Sequence, residues 1–371
     1  MNSRSRAIII AVLLAALVFA GGCSWFHKND KSLKKKGARA TKPRLAKCPL
    51  CGLTPVDPIF IQRRPVAIKI ENDPAARPQS GLGSACVIYE EECEGGITRF
   101  LAIFLDRDAS AAGPVRSARP ADLDITFPYD ALFCHCGGSP PVLAMVKQSG
   151  IADLDQFAYP GAYWRSSDRR APHNLYSTTA RLREAGDTLC PYEENAISPF
   201  RFFADEEQAK MERDRADEIR RSAANAANPS PEYKPSMTVV QNIHIPYLSI
   251  CAVDYAYDST SGRFMRLVKG VPHIDRNTGS QLAADNVIVQ YVTTTPSGLV
   301  DSRGADMSNL GIVGSGRAQV FVRGALIDAN WRKLSRADHT AYTDNSGKVI
   351  RFKPGTTWIE LVPTTKQVTF N

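Results

Sequence analysis

ADEEQAKMERDRADEIRRSAANAAN, residues 204–228, followed by PSPEYKPS, residues 229–236, divides the sequence into two unlike parts. The first stretch is dense in strong helix formers and carries acidic and basic neighbours three or four residues apart. Its apolar positions are sparse, which predicts a solvated helix rather than a core one. The three prolines that follow end that helix and favour extended backbone. A domain boundary is therefore expected at 204–236, and about 320 residues of folded chain are more than one core usually serves.

Upstream of the boundary the patterns are mixed. PVAIKI (65–70) and ACVIYE (85–90) read as short strands, TRFLAIFL (98–105) as a longer buried one, and 141–149 and 177–185 as helices. Downstream, strands dominate: NVIVQYV (286–292), RAQVFVRG (317–324) and TTWIELVP (356–363), with Asp344, Asn345, Ser346 and Gly347 forming a hairpin turn between TAY and KVIRF. The expected fold is α+β, a mixed N-terminal domain over 48–203 followed by a mainly β C-terminal domain over 237–371. No internal repeat marks a solenoid or propeller.

At the N-terminus, Arg4 and Arg6 precede 14 residues, Ala7 to Ala20, built only of Ala, Ile, Val, Leu and Phe. A spanning helix needs roughly 20 apolar residues, so this run suits the core of an export signal. Ala20, Gly21, Gly22 and Cys23 then resemble a lipobox. Residues 1–22 are expected to be a lipoprotein signal peptide and Cys23 the lipidated residue, with the anchor holding the chain on the extracytoplasmic face of the cell membrane. Residues 24–47 carry nine Lys or Arg against one Asp, a surplus equal to the formal +8 of the whole chain. The basic balance thus describes a flexible tether over 23–47, drawn to anionic headgroups or wall polymers, and no nucleic-acid partner is expected.

Eight cysteines remain beyond Cys23, a number that permits disulfides outside the cytoplasm. Cys48 and Cys51 in CPLCG look like half of a zinc ribbon. No second CxxC follows, and Cys134, His135 and Cys136 would alternate faces in a strand, so a disulfide or free thiols are expected there. No metal site and no cofactor are assigned.

GPVRSARP (113–120) is the most chemically suggestive stretch. Arg116 and Arg119 flank Ser117 on an irregular backbone, and two guanidinium forks beside a hydroxyl suit a carboxylate, phosphate or sulfate. Equally, Arg116 could bridge Asp122, Asp124 or Asp130 and fasten a loop. Asp130, His135 and His173 are the acid/base candidates of the same domain. Ser139 follows two glycines, but GGSP is not a nucleophile elbow. In PHIDRNTG (272–279), His273 and Asp275 either complete a polar turn or face a ligand. GSGR (314–317) lacks the residues of a phosphate cradle, and Trp331 and Trp358 are expected in the β core.

GGITRFLAIF (95–104), GPVRSARP, YDALFCHCGGSP (129–140) and PHNLY (172–176) resemble the N-terminal domain of the YerB-like lipoproteins. GVPHIDRNTG (270–279), NVIVQYV, GSGRAQVFVRGALIDANW (314–331) and PGTTWIELVP (354–363) are similar to that family's C-terminal domain. The resemblance covers about residue 48 to the end. It implies a two-domain envelope lipoprotein of unknown function, without an assigned reaction, and a first knuckle that usually reads like NPLTGL rather than CPLCGL. Two readings follow. One is a binding or scaffolding protein for an anionic wall polymer or an envelope protein, with Arg116, Ser117, Arg119, His273 and Asp275 as ligand contacts. The other is a cell-wall-modifying hydrolase or transferase using Asp130, His135 or His173.

Overall fold

PVAIKI, ACVIYE and TRFLAIFL form the strands expected of them: β1 (Val66–Glu71), β2 (Val87–Glu92) and β3 (Thr98–Phe104). β3 lies antiparallel to both of the others. The coordinates are a computed structural model that describes residues 47–189, 198–301 and 303–371. The signal peptide, Cys23, nearly all of the basic tether and Cys190 lie outside the described residues.

β4 (Leu132–His135) and β5 (Asp153–Asp155) add in parallel beyond β1. Three strands, β6 (Asn242–Ile245), β7 (Val253–Asp258) and β8 (Arg263–Val268), form the centre of a six-stranded antiparallel second sheet. The remaining long strands are β9 (Asn286–Val292), β10 (Gly314–Val322), β11 (Ala325–Lys333), β12 (Ala341–Asp344) and β13 (Thr357–Pro363). The main sheet runs β12-β11-β10-β9-β13-β2-β3-β1-β4-β5. The two parts of the chain keep their mixed and strand-rich characters, yet β13 pairs in parallel with β2 and joins them in one sheet.

Alternation along the central strands explains the layering. Ile68, Ile70, Ile88, Phe100, Trp358 and Val289 face one side, where Ile243, Val253, Tyr255 and Phe264 of the second sheet meet them. Ala67, Val87, Leu101, Ile103, Ile288 and Ile359 face the other, against Leu123, Val142 and Val146 of helices α1 (Pro120–Thr126) and α2 (Pro140–Ser149). Each such fully buried aliphatic or aromatic side chain stabilises by about 1.5–3 kcal/mol relative to exposure. A third helix, α3 (Thr179–Gly186), packs Leu182 into the first of these layers.

The charged stretch at 204–228 is helix α4 (Asp205–Ala227). It is mostly exposed, but Arg215 and Glu218 are buried: the Arg215 guanidinium lies 4.5 Å over the Tyr257 ring, and Glu218 accepts from the backbone and hydroxyl of Ser236. The β10–β11 hairpin turns on Arg323 and Gly324, both at positive φ, as a two-residue loop of this twist requires. At Asp344–Gly347 the expected turn closes through Gly347 N–H donating to the Asp344 carbonyl, 2.9 Å. Its returning strand is short: Arg351–Phe352 pairs with Arg201–Phe202 instead.

Between the two sheets lies a buried polar cluster. Arg266 is wholly buried and donates through Nε to His273 Nδ1 (3.1 Å), through Nη1 to Glu360 (3.0 Å) and the Tyr255 hydroxyl (2.5 Å), and through Nη2 to Glu90. Its guanidinium sits 4.3 Å over Trp358. Burial and the neighbouring Glu90 push the Glu360 carboxyl up to about 8, against the pull of Arg266. Residues of both parts of the chain therefore share one internal network.

Candidate functional site

Backbone bonds draw the GPVRSARP segment across the end of β1. Arg116 N–H donates to the Lys69 carbonyl (2.9 Å), Val115 N–H to the Leu175 carbonyl (2.7 Å) and Ala118 N–H to the Gly137 carbonyl (2.9 Å). These bonds bring PHNLY and CHCGGSP against the same segment, and Arg99 reaches it from β3 by donating to the Ser117 carbonyl, 3.1 Å. The four motifs of the first part thus meet around a polar cavity of about 240 Å³, closed on its remaining side by Asp301, Arg303 and Met307.

Its side chains fall into a satisfied and an unsatisfied group. Arg119 is satisfied: its fork grips Glu94 at 2.7 and 2.6 Å, and its third nitrogen donates to the Ala118 carbonyl at 2.9 Å. Glu94 keeps the Arg119 charge fixed although burial opposes it. Arg119 therefore shapes the wall rather than offering donors to a ligand. Arg116 differs. Its Nε lies 3.0 Å from Glu71 Oε1, yet both atoms are without a well-directed hydrogen bond. Burial, with Arg99 and Arg303 nearby, lowers the Arg116 pKa against the opposing pull of Glu71. Arg99 Nε and Ser139 Oγ are also buried and without partners. Four buried polar atoms without a hydrogen bond, on Glu71, Arg99, Arg116 and Ser139, thus line one cavity, those of Glu71 and Arg116 facing each other as an ion pair. A buried donor left unpaired costs about 1–3 kcal/mol, so a concentration of them calls for a partner.

His173 Nδ1 lies 3.0 Å from Glu71 Oε2, so Glu71, itself buried, bridges His173 and Arg116. Arg99, Glu71 and Arg303 were missed by the sequence reading. The available signal was a charged residue inside TRFLAIFL, at a place where a continuous apolar run is otherwise expected.

The chain matches the N-terminal domain of a family described as protein of unknown function (DUF3048) over residues 50–191, and its C-terminal domain over 243–359. A Bacillus subtilis (strain 168) protein named "Putative lipoprotein YerB" is 29% identical over 337 residues, covering 90% of this chain and 91% of the relative. The crystal structure of the YerB protein from Bacillus subtilis superposes with a TM-score of 0.70 at 26% identity, over 88% of this chain and 99% of that one. The chain belongs to the YerB-like family. Among the described residues no helix is long and apolar enough to cross a membrane.

In this YerB-like fold the remaining candidates lie away from the cavity. The three acid/base residues do not converge: Asp130 sits at positive φ in an exposed turn and pairs with Arg64. His135 is fully buried, its two ring nitrogens 2.9 Å from the Gly137 carbonyl and 2.8 Å from Asp153. Only His173 reaches the cavity. Nor does Arg116 bridge the acids considered for it: Asp122 pairs with Lys69 and Asp124 with Arg336.

The ligand-facing reading of His273 and Asp275 also gives way. His273 is enclosed between Arg266 and Gln79, and burial with the nearby Arg266 and Arg77 holds it well below the ordinary imidazole pKa. Asp275 is buried and accepts from the Gly83 (2.7 Å) and Asn277 (2.8 Å) backbone amides. Trp331 and Trp358 are buried in the β core. The CPLCG knuckle does find partners: the Cys48, Cys51, Cys86 and Asp106 donor atoms all lie within 4.8 Å of one another. No spacing rule connects Cys86 and Asp106 to the knuckle, and only the fold brings them beside it.

Proposed function

We propose that the protein is a lipid-anchored extracytoplasmic binding protein that takes an anionic group of an envelope component into the cavity between Arg99, Arg116 and Ser139. The observation that carries this reading is the pair of buried donors without a hydrogen bond, Arg99 Nε–H and the Ser139 hydroxyl, lining one cavity with the Arg116–Glu71 ion pair. Guanidinium N–H groups and a hydroxyl in a recessed pocket match a phosphate or carboxylate, because charge-assisted hydrogen bonds are stronger than neutral ones. The similarity to a protein named as a lipoprotein supports the anchor at Cys23 and a place at the membrane. A wall polymer is the preferred source of the anion, and an envelope protein presenting an acidic side chain is the other.

The test is binding of the full chain, in detergent, to fractionated anionic wall polymers and to membrane lipids, beside the Arg99→Ala/Arg116→Ala double variant. Saturable, salt-sensitive binding that the folded variant loses supports the cavity. Equal binding by both proteins removes the cavity as the site, and no binding by the wild type turns the search to protein partners.

One observation favours a second reading, a wall-modifying hydrolase or transferase: His173 is held by Glu71 in the same cavity as the unpartnered Ser139 hydroxyl. A carboxylate-held imidazole can act as a general base. That reading requires product from isolated wall material, with His173→Gln abolishing turnover while leaving polymer binding intact. Absence of product over prolonged incubation counts against it.

A further inference from the structure

We propose that Cys48, Cys51, Cys86 and Asp106 bind one zinc ion in a closed, structural site. The four residues come from three places in the chain. Cys48 and Cys51 are held in a tight turn by Cys48 N–H donating to Leu53 and Gly52 N–H to Cys48, both at 2.8 Å. Cys86 immediately precedes β2, and Asp106 follows the end of β3 by two residues, so the antiparallel β2–β3 pair sets them side by side.

The geometry is that of a coordination shell before metal. Asp106 Oδ2 lies 3.3 Å from Cys51 Sγ, and Oδ1 lies 2.9 Å from Cys86 Sγ. All four ligand atoms fall within 4.8 Å of one another, and all four residues are buried. Zinc takes thiolate sulfur at about 2.3 Å and carboxylate oxygen at about 2.0–2.2 Å in a tetrahedron, which sets donor separations of roughly 3.4–3.8 Å. Small movements bring these donors to that spacing. Three sulfurs and one oxygen select zinc over calcium or magnesium, which prefer oxygen shells.

Burial also supplies the motive. A carboxylate enclosed with three thiols needs compensation, and Arg107 supplies only part of it, its Nε lying 3.5 Å from Asp106 Oδ1 without a hydrogen bond. Zinc replaces the thiol protons, releasing up to three to solvent at neutral pH. The resulting shell of three thiolates, one carboxylate and Zn²⁺ carries a net charge of about −2, which Arg107 partly offsets from outside. Four protein ligands and enclosure leave no open position for substrate, so the ion fastens the 48–51 turn to the sheet rather than performing chemistry.

Full-length chain, purified in detergent under reducing conditions and dialysed, is expected to carry one zinc per molecule by plasma mass spectrometry. X-ray absorption should find three sulfur neighbours and one oxygen. Cobalt should replace the zinc and give an intense thiolate-to-metal charge-transfer band. Cys51→Ser and Asp106→Asn are expected to weaken retention at least about 10-fold, whereas Cys134→Ser, a buried cysteine outside the cluster, retains the metal. Wild-type spectroscopy decides the matter even where a ligand variant does not fold. A folded, reduced wild type that takes up neither zinc nor cobalt overturns the proposal, as does bound zinc whose sulfur shell is unchanged by Cys51→Ser.

Discussion

Arginine is buried in two regions of this molecule with opposite outcomes. Between the sheets, Arg266 has every nitrogen engaged and lies under Trp358. In the cavity, Arg99 is similarly enclosed and Arg116, ion-paired with Glu71, is partly so, and the Nε–H of each lacks a hydrogen bond. The Arg266 guanidinium is fully engaged and serves the fold; the cavity arginines keep Nε–H groups open to a partner from outside. Burial of a charge alone therefore distinguishes nothing here, and the engagement of each guanidinium nitrogen does.

The sharpest way to break this contrast is to remove one arginine from each region. Arg266→Ala leaves Glu90 and Glu360 enclosed without their cation, and a loss of about 3–5 kcal/mol is expected in urea unfolding, enough to jeopardise folding. Arg99→Ala removes a guanidinium that has no carboxylate partner, so stability should change by less than about 1 kcal/mol. The same variant should weaken binding to an anionic polymer about tenfold, the equivalent of one charge-assisted hydrogen bond of about 1.5 kcal/mol. If the two variants were equally destabilised, the distinction between an engaged and an open guanidinium would fail.

Histidines extend the comparison with a smaller effect. Although burial opposes it, bonding to Asp153 and the nearby Asp155 raise the His135 pKa above the ordinary imidazole value. A raised folded pKa means that the stabilisation is fully present below about pH 6.5 and is lost as pH rises through the folded value. The stability advantage of wild type over His135→Asn should accordingly shrink from pH 6 towards pH 9, as urea midpoints would register. An advantage independent of pH would mean that the ring is neutral and held by packing alone.

Much of the architecture was legible because it is written in local patterns. NVIVQYV occupies β9 residue for residue, and the charged stretch becomes α4 almost to its ends. The parallel pairing of β2 with β13 was not legible, since strands about 270 residues apart carry no local mark of partnership. The cavity was half legible. Arg116 and Ser117 stand where the irregular backbone of GPVRSARP suggested, but the consumption of Arg119 by Glu94 depends on a turn 25 residues upstream. Arg99, Cys86 and Asp106 sit in or beside apolar strands, and only tertiary pairing reveals what they face.

The position of β13 has a consequence for how the molecule is made. Its neighbours β2 and β9 cannot close their hydrogen-bonding edges until residues 357–363 arrive, about 270 residues after β2 and about 70 after β9. Until then the emerging protein displays two open, apolar strand edges that invite pairing with other chains. Truncations that omit this strand should aggregate rather than yield a working half, and biosynthesis must shield the nascent polypeptide until residues 357–363 have emerged.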